Sequence, residues 1–457
     1  MSQKPAELVS PAEGSTAAVG ARVGIVYPRA TLDSAPSLCN AADLLARRGY
    51  AVDLFTCVNQ GMAPPRFASR SIRICSLGPE VLADPGAGVR EAFGQVRQLG
   101  IAGPLRSAYR GLRAALKRGL DASARLVTVA YVRRAHNLGA GYSCFIGVDP
   151  DGLVLAQSLA GLVDAPVAYY SLELLLSHEL TSPADAELKR REMELARRAA
   201  FCVVQDEQRA RLFAEDNGIP WDRVVLVPNA PLGPARRSRS EYWHHRFGLP
   251  PWQRVVLHTG SLGNWTGIEA ILASVDSWPE TWALVVHTRY DAESSDYLER
   301  LRASALPGRV FFSLKPLPRQ EYDELVDGAD IGVAFYVTVA GSSYTQTNIQ
   351  TIGLSSGKIA YYLRSGLPVI VNRAASIAEP LERAGCGVGV EDARDIGKAI
   401  ARIEQDYADY SERVRAFFDA RLDFSRSFED VLARIDRLAA GRQHHTREAS
   451  RTNDLRG

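Results

Sequence analysis

The segment GLSSGKIAYYLRSGLPVIV, residues 353–371, has the residue types of an anion-binding site. Ser355, Ser356 and Gly357 come directly before a predicted helix, and an apolar strand follows that helix. The free N–H groups and the positive dipole end of a helix N-terminus bind anions. Lys358 adds a full positive charge there, which suits a diphosphate whose charge grows when a bond to it breaks. A capped helix with a solvated lysine explains the same residues, so local chemistry leaves both interpretations open.

Acidic side chains end two predicted strands in the first half of the chain. Asp149 ends the strand in GVDPDG, and Glu173 ends the next one in YYSLEL, with His178 shortly after. A carboxylate or imidazole at such a place can orient an acceptor hydroxyl or take its proton. However, DPDG is also a good turn sequence, and Glu173 can pair with an arginine. A catalytic and a structural role therefore both remain open for Asp149 and Glu173.

Residues 89–135 carry an unusual excess of positive charge. They contain ten basic and two acidic residues, interleaved with leucine, isoleucine and tyrosine. Such a basic amphipathic helical region suits an anionic membrane surface or a lipid-diphosphate acceptor. It equally fits a solvated helix face, so membrane contact is a hypothesis.

The composition is that of a soluble protein with more than one domain. The chain has 457 residues, 46% of them apolar, and a net charge of +2 from 54 basic and 52 acidic residues. No apolar run approaches the roughly 18 residues that a membrane-spanning helix needs. The near-neutral charge predicts no nucleic-acid partner. The six cysteines are scattered without metal-ligand spacing, which predicts a reduced, cytoplasmic protein without a metal site.

From Arg22 onward, short β-branched runs alternate with longer helical patterns, which is typical of parallel α/β sheets. The pattern stops in a Pro- and Arg-rich stretch and then restarts. Two doubly wound units imply a cleft between them, because ligands bind beyond the carboxyl ends of the strands. The predicted organisation begins with a disordered leader (residues 1–20) and a first Rossmann-like domain (21–230). A linker (231–252) leads to a second such domain with closing C-terminal helices (253–438), and a disordered tail (439–457) follows.

The second half resembles the donor half of the two-Rossmann (GT-B) glycosyltransferases, of the large bacterial group-one or family-four kind. The resemblance rests on the order of four segments: VVLHTGSLGNWTGIEAIL, RVFFSLKPLPRQEYDELVDGADIGVAF, GLSSGKIAYYLRSGLPVIV and SIAEPLERAGCGVGV. In the first half, FIGVDPDGLVLAQSLAGLVDAPVAYYSLEL is similar to the acceptor side of these enzymes. The likeness extends from Arg22 to about Leu438.

The resemblance implies a set of donor-binding residues. Gly260, Ser261, Gly263 and Asn264 are expected near the diphosphate and sugar, and Lys315 near the nucleobase. Ser355, Ser356 and Gly357 are expected at the phosphates, and Tyr361 at the ribose. Asp149, Glu173 and Lys358 are the expected catalytic residues. Where the family commonly carries two glutamates eight positions apart, this chain has Gly353 and Tyr361.

The implied activity is transfer of a sugar from a nucleoside diphosphate sugar to a hydroxyl of a glycan, a lipid-linked saccharide or a small metabolite, with retention of anomeric configuration. No metal or other cofactor is expected, because the helix dipole and Lys358 can stabilise the leaving diphosphate. The implied location is the cytoplasm, with peripheral contact at the inner face of the membrane through residues 89–135 as a hypothesis. A GT-B epimerase or hydrolase, and a non-catalytic nucleotide-sugar-binding or scaffold protein, remain alternatives.

Overall fold

The computed structural model has two parallel β-sheets, each covered by helices. It describes residues 21–29, 31–32, 35–57, 65–77, 125–139, 141–288, 296–315, 317, 319–339, 346–373 and 376–454. The predicted leader and most of the basic segment 89–135 lie outside these ranges. Among the helices of these ranges, none combines the length and the hydrophobicity that a membrane-spanning segment requires.

The first lobe is built on a seven-stranded sheet with the strand order β3-β2-β1-β4-β5-β6-β7. All neighbouring strands pair in parallel. The strands are β1 (Arg22–Tyr27), β2 (Ala51–Thr56), β3 (Ile72–Ser76), β4 (Tyr142–Val148), β5 (Val167–Tyr170), β6 (Cys202–Val204) and β7 (Val224–Leu226). The strand order reverses between β1 and β4, and a crevice opens beyond the carboxyl ends of the strands at such a switch point.

The second lobe repeats this plan with a six-stranded parallel sheet in the order β10-β9-β8-β11-β12-β13. Its strands are β8 (Arg254–Thr259), β9 (Trp282–His287), β10 (Val310–Ser313), β11 (Ile331–Ala334), β12 (Val369–Asn372) and β13 (Gly387–Val390). Its switch point lies between β8 and β11. The α/β class and the two doubly wound domains predicted from the sequence are confirmed.

Local sequence signals set the helix ends in both lobes. The first-lobe helices are α1 (Pro36–Arg47), α2 (Asp149–Gly161), α3 (Pro183–Ala196) and α4 (Glu207–Asn217). The Ser182 side chain accepts a hydrogen bond from Asp185 N and so caps α3, and Asp206 caps α4 in the same way through Arg209 N. Gly218 ends α4 in the left-handed conformation that glycine adopts without strain.

The predicted linker over residues 231–252 is packed against the second lobe. It contains the short helix α5 (Tyr242–Phe247), in which Trp243 is fully buried and donates a hydrogen bond to Leu325 O at 2.7 Å. Arg236 in the same stretch donates to Asp327 Oδ2 at 2.7 Å. Its arginines therefore form specific ion pairs that fix the path of the chain between the lobes.

The remaining helices cover the second sheet and then return to the first. They are α6 (Ile268–Ser274), α7 (Asp296–Ala303), α8 (Arg319–Asp327), α9 (Thr347–Gln350), α10 (Gly357–Arg364), α11 (Ala378–Arg383), α12 (Ile396–Gln405), α13 (Tyr407–Arg421) and α14 (Phe424–Asp454). Helix α14 was predicted to close the second domain, but it packs on the first lobe, where Asp436 accepts hydrogen bonds from Arg48 and Tyr50.

The C-terminal tail differs from the prediction. Residues 439–457 were predicted to be disordered because they are polar, yet α14 continues to Asp454. The helix is held at its start by buried residues such as Phe428 and Ile435, and Arg442 donates to Val163 O at 3.1 Å. A polar sequence can extend a helix whose first turns are already packed, because propagation costs much less than nucleation.

Candidate active site at the interlobe cleft

The anion-binding segment predicted from the sequence is a capped helix N-terminus. Ser356 is the N-cap of α10 and accepts a hydrogen bond from Ile359 N at 3.4 Å. The Tyr336 hydroxyl, which lies just beyond β11, hydrogen-bonds to the Ser356 hydroxyl. The Ser355 hydroxyl donates to Ile352 O, one turn back. These contacts fix the tip of α10 at the carboxyl edge of the second sheet.

Lys358 and the loop after β8 meet at this tip. Gly260 has φ +110, and a Cβ at that position would lie 3.5 Å from Lys358 Cε and 3.7 Å from Nζ. The Lys358 ammonium also lies 5.3 Å from the centre of the Tyr336 ring and 5.9 Å from that of Trp265. Two of the predicted groups, the glycine loop and the lysine, are therefore brought together, and aromatic faces hold the cation in place.

A buried histidine lies beneath the same loop. His258 is the fifth residue of β8 and is fully buried. Burial is the main cause that lowers the pKa of its imidazole, and the charge of Lys358 acts in the same direction. The imidazole is therefore neutral at pH 7, so Lys358 supplies the positive charge next to the loop.

The tip of α10 faces the first lobe across the cleft. A Cβ on Gly357 would lie 3.3 Å from the side-chain nitrogen of Asn229, which follows β7. A Cβ on Gly353 would lie 3.1 Å from Asp206 Oδ2, which follows β6. Sequence reasoning did not select Asn229 or Asp206, because each approaches the site from the opposite lobe. Their position after a strand end in the first half was the only available signal.

Asp149 lies where the sequence predicted it, at the end of β4, and its carboxylate is held by groups of the protein. The side chain is buried, and Oδ1 accepts hydrogen bonds from Leu172 N at 2.8 Å and Glu173 N at 3.0 Å. Its Oδ2 lies 3.2 Å from the guanidinium of Arg29. Burial raises the pKa of Asp149, while Arg29 acts in the opposite direction. Asp149 thus holds the loop after β5 through two hydrogen bonds, and its catalytic role stays a prediction.

Glu173, in contrast, reaches the surface of the cleft. Its side chain is 51% exposed, and its Oε2 lies 3.7 Å from Nη2 of the buried Arg209. His178 is exposed, 4.0 Å from Glu179. Of the two predicted acids, Glu173 is the one with a carboxylate that a bound acceptor could contact.

Arg209 also joins the two lobes. It donates to Leu172 O at 2.9 Å in the first lobe and to Asn348 Oδ1 at 2.7 Å in the second. Asn348 in turn exchanges hydrogen bonds with the backbone of Leu174 at 2.7 and 2.9 Å. We call Arg209, Asn348 and Leu174 the interlobe contact. It holds the chain immediately before α10 against the first lobe.

The other predicted donor residues are distributed over the second lobe. Gly263 and the exposed Asn264 lie in the loop after β8, as Ser261 does, and Gly263 O accepts a hydrogen bond from Thr266. Lys315 is exposed after β10, two strands away from β8. The predicted ribose contact, Tyr361, is partly buried with its ring edge-on to Tyr322 at 4.8 Å. No group of three or more potential metal-ligating side chains occurs among the described residues.

The arrangement of the lobes matches solved glycosyltransferase structures. HepE of Anabaena, solved with UDP and glucose, aligns with a TM-score of 0.60 and 14% identity over 90% of this chain and 98% of its own. Trehalose-6-phosphate synthase of Burkholderia multivorans aligns with a TM-score of 0.59 and 14% identity over 92% and 99%. WaaG, a glycosyltransferase of lipopolysaccharide biosynthesis, aligns with a TM-score of 0.55 and 13% identity over 89% and 98%. The protein therefore has the GT-B fold.

The family comparison points to the same half of the molecule. Residues 332–421 match the model of the glucosyltransferase 3-like C-terminal domain, and this range contains α10 and its tip. The match covers about a fifth of the chain. No curated protein sequence shows significant similarity to it.

Proposed function

We propose that the protein is a glycosyltransferase that moves a sugar from a nucleoside diphosphate sugar to a hydroxyl acceptor. The observation that carries this proposal is the tip of α10, where Ser356, Gly357 and Lys358 face the cleft of a GT-B fold beside the Gly260 loop. The UDP and glucose bound to HepE, and the family match over this segment, support it.

The chemistry assigned to the second lobe is stabilisation of the leaving diphosphate. Negative charge builds up on the diphosphate as the glycosidic bond breaks. The groups proposed to stabilise that charge are the dipole of α10 and the ammonium of Lys358, which lie together beside Gly260. Glu173, on the opposite side of the cleft, is the group proposed to orient the acceptor hydroxyl or accept its proton.

We also propose that transfer needs no metal ion and retains the anomeric configuration. The helix dipole and Lys358 supply the charge stabilisation that a divalent cation provides in other enzymes. Activity that persists in EDTA supports the first part, whereas activity restored only by added Mg²⁺ or Mn²⁺ contradicts it. Proton NMR of the newly formed glycosidic bond determines whether the anomeric configuration is retained.

The decisive experiment is a panel of nucleoside diphosphate sugars incubated with and without acceptor sugars and lipid-linked saccharides. Release of nucleoside diphosphate that depends on the acceptor supports transfer. Free sugar or an isomerised donor without acceptor would instead identify a hydrolase or epimerase. Tight donor binding in calorimetry without any turnover would favour a scaffold role.

Peripheral contact with an anionic membrane is proposed for the basic segment 89–135, of which the structure describes 125–135. This helical part exposes Leu126 by 71% and Val127 by 56%, with the neighbouring Leu162 exposed by 41%. Exposed Arg133 and Arg134 flank this apolar surface. Apolar contact combined with basic charge is the pattern by which interfacial helices bind anionic lipid.

Co-sedimentation with liposomes tests this contact. Binding to vesicles that contain phosphatidylglycerol, but not to pure phosphatidylcholine, supports it, and equal binding or none ends it. The variant Leu126→Asp/Val127→Asp should reduce the bound fraction, since two charges are then placed on the apolar surface. Lys398→Glu, a charge reversal at an exposed lysine of the second lobe, serves as the control.

A further inference from the structure

The cleft contains an amide whose orientation is set by a neighbouring hydroxyl. Ser37, in the first turn of α1, donates a hydrogen bond to Asn229 Oδ1 at 2.5 Å. An asparagine side chain has one accepting and one donating end. Because Ser37 occupies the accepting end, the –NH2 end stays available as a donor, and the amide lies against Gly357, the first residue of α10, with Nδ2 the nearest atom.

The backbone on both sides of this amide is held in place. Asn40 Nδ2 donates to Ala230 O at 2.9 Å, which ties the residue after Asn229 to α1. Farther along, Arg236 N donates to Arg364 O at 2.6 Å, so the crossing segment runs beside α10 as far as its last residue. The amide therefore has a defined position relative to the helix tip.

The absence of a side chain at Gly357 permits this approach. A methyl group there would be 3.3 Å from Asn229 Nδ2, which is tighter than most Cβ contacts, and 3.5 Å from Oδ1, which is an ordinary contact. The first N–H groups of a helix have no partner within the helix, and Ser356 accepts the one from Ile359. The amide donor thus adds to the same region of positive potential as the helix N-terminus and Lys358.

We propose that Asn229 is a diphosphate-binding residue contributed by the first lobe, and that Ser37 is the positioning residue that orients its amide. This inference rests on the proposed function, in which the α10 tip holds the donor diphosphate. The Asn229 N–H donates to a diphosphate oxygen from the side opposite the second lobe. Binding of the diphosphate then stabilises the approach of the two lobes, because both provide ligands to one anion.

The test is isothermal titration of the full-length protein with UDP and with inorganic pyrophosphate. Asn229→Asp replaces the donor with a carboxylate oxygen of the same shape and should weaken binding of both probes by about tenfold or more, because a hydrogen bond becomes a charge repulsion. Asn229→Ala should weaken binding by about threefold to tenfold through loss of the hydrogen bond alone. Asn137→Asp, the same change at an exposed residue, should leave both affinities unchanged.

Ser37→Ala distinguishes a positioning role from a packing role. It should weaken UDP binding in the wild-type background but add no loss in the Asn229→Ala background, because an absent amide needs no orientation. Thermal unfolding of each variant confirms that it is folded. Wild-type affinity for both probes in Asn229→Asp or Asn229→Ala would overturn the inference. The proposed function would remain intact in that case. A wild-type protein that binds neither probe would overturn both.

Discussion

The two faces of the cleft use their polar groups differently. On the first lobe, Asp149 and Arg209 are buried, and their hydrogen bonds are made to the protein itself. On the second lobe, the tip of α10 and Lys358 lie beside Gly260, Gly353 and Gly357, whose lack of side chains lets neighbouring groups come close. The contrast is that Asp149, an acid at a strand end, is held by the protein, whereas the tip of α10 combines a helix N-terminus with a cation, which is the arrangement proposed to bind the donor diphosphate.

The largest expected effect comes from removing the cation of the second lobe. Lys358→Ala should lower turnover by about 100-fold or more, the scale of loss when a preorganised group that stabilises transition-state charge is deleted. Stability is measured separately, because the Lys358 ammonium is buried although the residue as a whole is only partly so. Turnover is measured by nucleoside diphosphate release, and folding by thermal unfolding.

The matched control is Lys398→Ala on α12, an exposed lysine paired with Asp395 at 2.9 Å. Its turnover should equal that of the wild type. Wild-type turnover in Lys358→Ala would remove the lysine from the mechanism and weaken the contrast between the two faces.

A second test breaks the interlobe contact. Arg209→Met should lower the free energy of unfolding by roughly 3 kcal/mol, because the buried oxygens of Leu172 and Asn348 lose their charged donor. Arg211→Met, on the same helix, removes an exposed pair with Glu207 and should cost at most about 0.5 kcal/mol. Urea unfolding measures both free energies. Equal losses in the two variants would show that the hydrogen bonds of Arg209 contribute no more to stability than an exposed ion pair does.

The sequence predicted the sheets and the α10 tip because both depend on local signals. Apolar strands, glycines and Ser356 act within a few residues of one another, so their pattern is visible along the chain. The groups that approach α10 from the first lobe, Asn229 and Asp206, are separated from it by more than a hundred positions. Only the packing of the two lobes brings them together, and no spacing in the sequence records it.

The roles of Asp149 and of the tail were harder to predict for a related reason. The sequence DPDG is compatible with a ligand site, a turn and the start of a helix; the structure shows the start of a helix, and the backbone N–H groups of Leu172 and Glu173 that bind Asp149 lie more than twenty positions away. In the same way, the polar residues after 439 extend a helix because its buried first turns are packed on the first lobe.

A third prediction separates anchoring from catalysis at Asp149. Asp149→Asn should lower the free energy of unfolding by about 1–3 kcal/mol, since the amide matches only part of the hydrogen bonding and leaves Arg29 without its carboxylate. Turnover per folded molecule should fall by far less than in Lys358→Ala. Unfolding curves together with active-site titration measure the two quantities. A turnover loss of about 100-fold at unchanged stability would return Asp149 to the catalytic residues.

The smallest expected effect concerns the carboxylate that lies against Gly353 at the contact of the two lobes. Asp206 Oδ2 is buried without a hydrogen-bond partner among the described residues, and burial is the main cause that raises the pKa of this side chain. A raised pKa means that the folded protein binds the proton more tightly than the unfolded chain. The contribution of Asp206 to stability is therefore present at low pH and is lost as the pH rises through the folded-state pKa.

Asp206→Asn keeps the N-cap of α4, because asparagine caps helices as well as aspartate does, but it removes the buried charge. The variant should be more stable than the wild type by about 1 kcal/mol at pH 7, and this difference should shrink towards pH 4. Asp392→Asn is the control of opposite sign. Hydrogen bonds from Arg394 lower the pKa of Asp392 to about 2, so its contribution is present at neutral pH and is lost as the pH falls. Urea unfolding across this pH range measures the stability of each variant relative to the wild type. If that difference followed the same pH trend in both variants, Asp206 would be an ordinary solvated N-cap. The first lobe would then place no buried charge beside the helix tip.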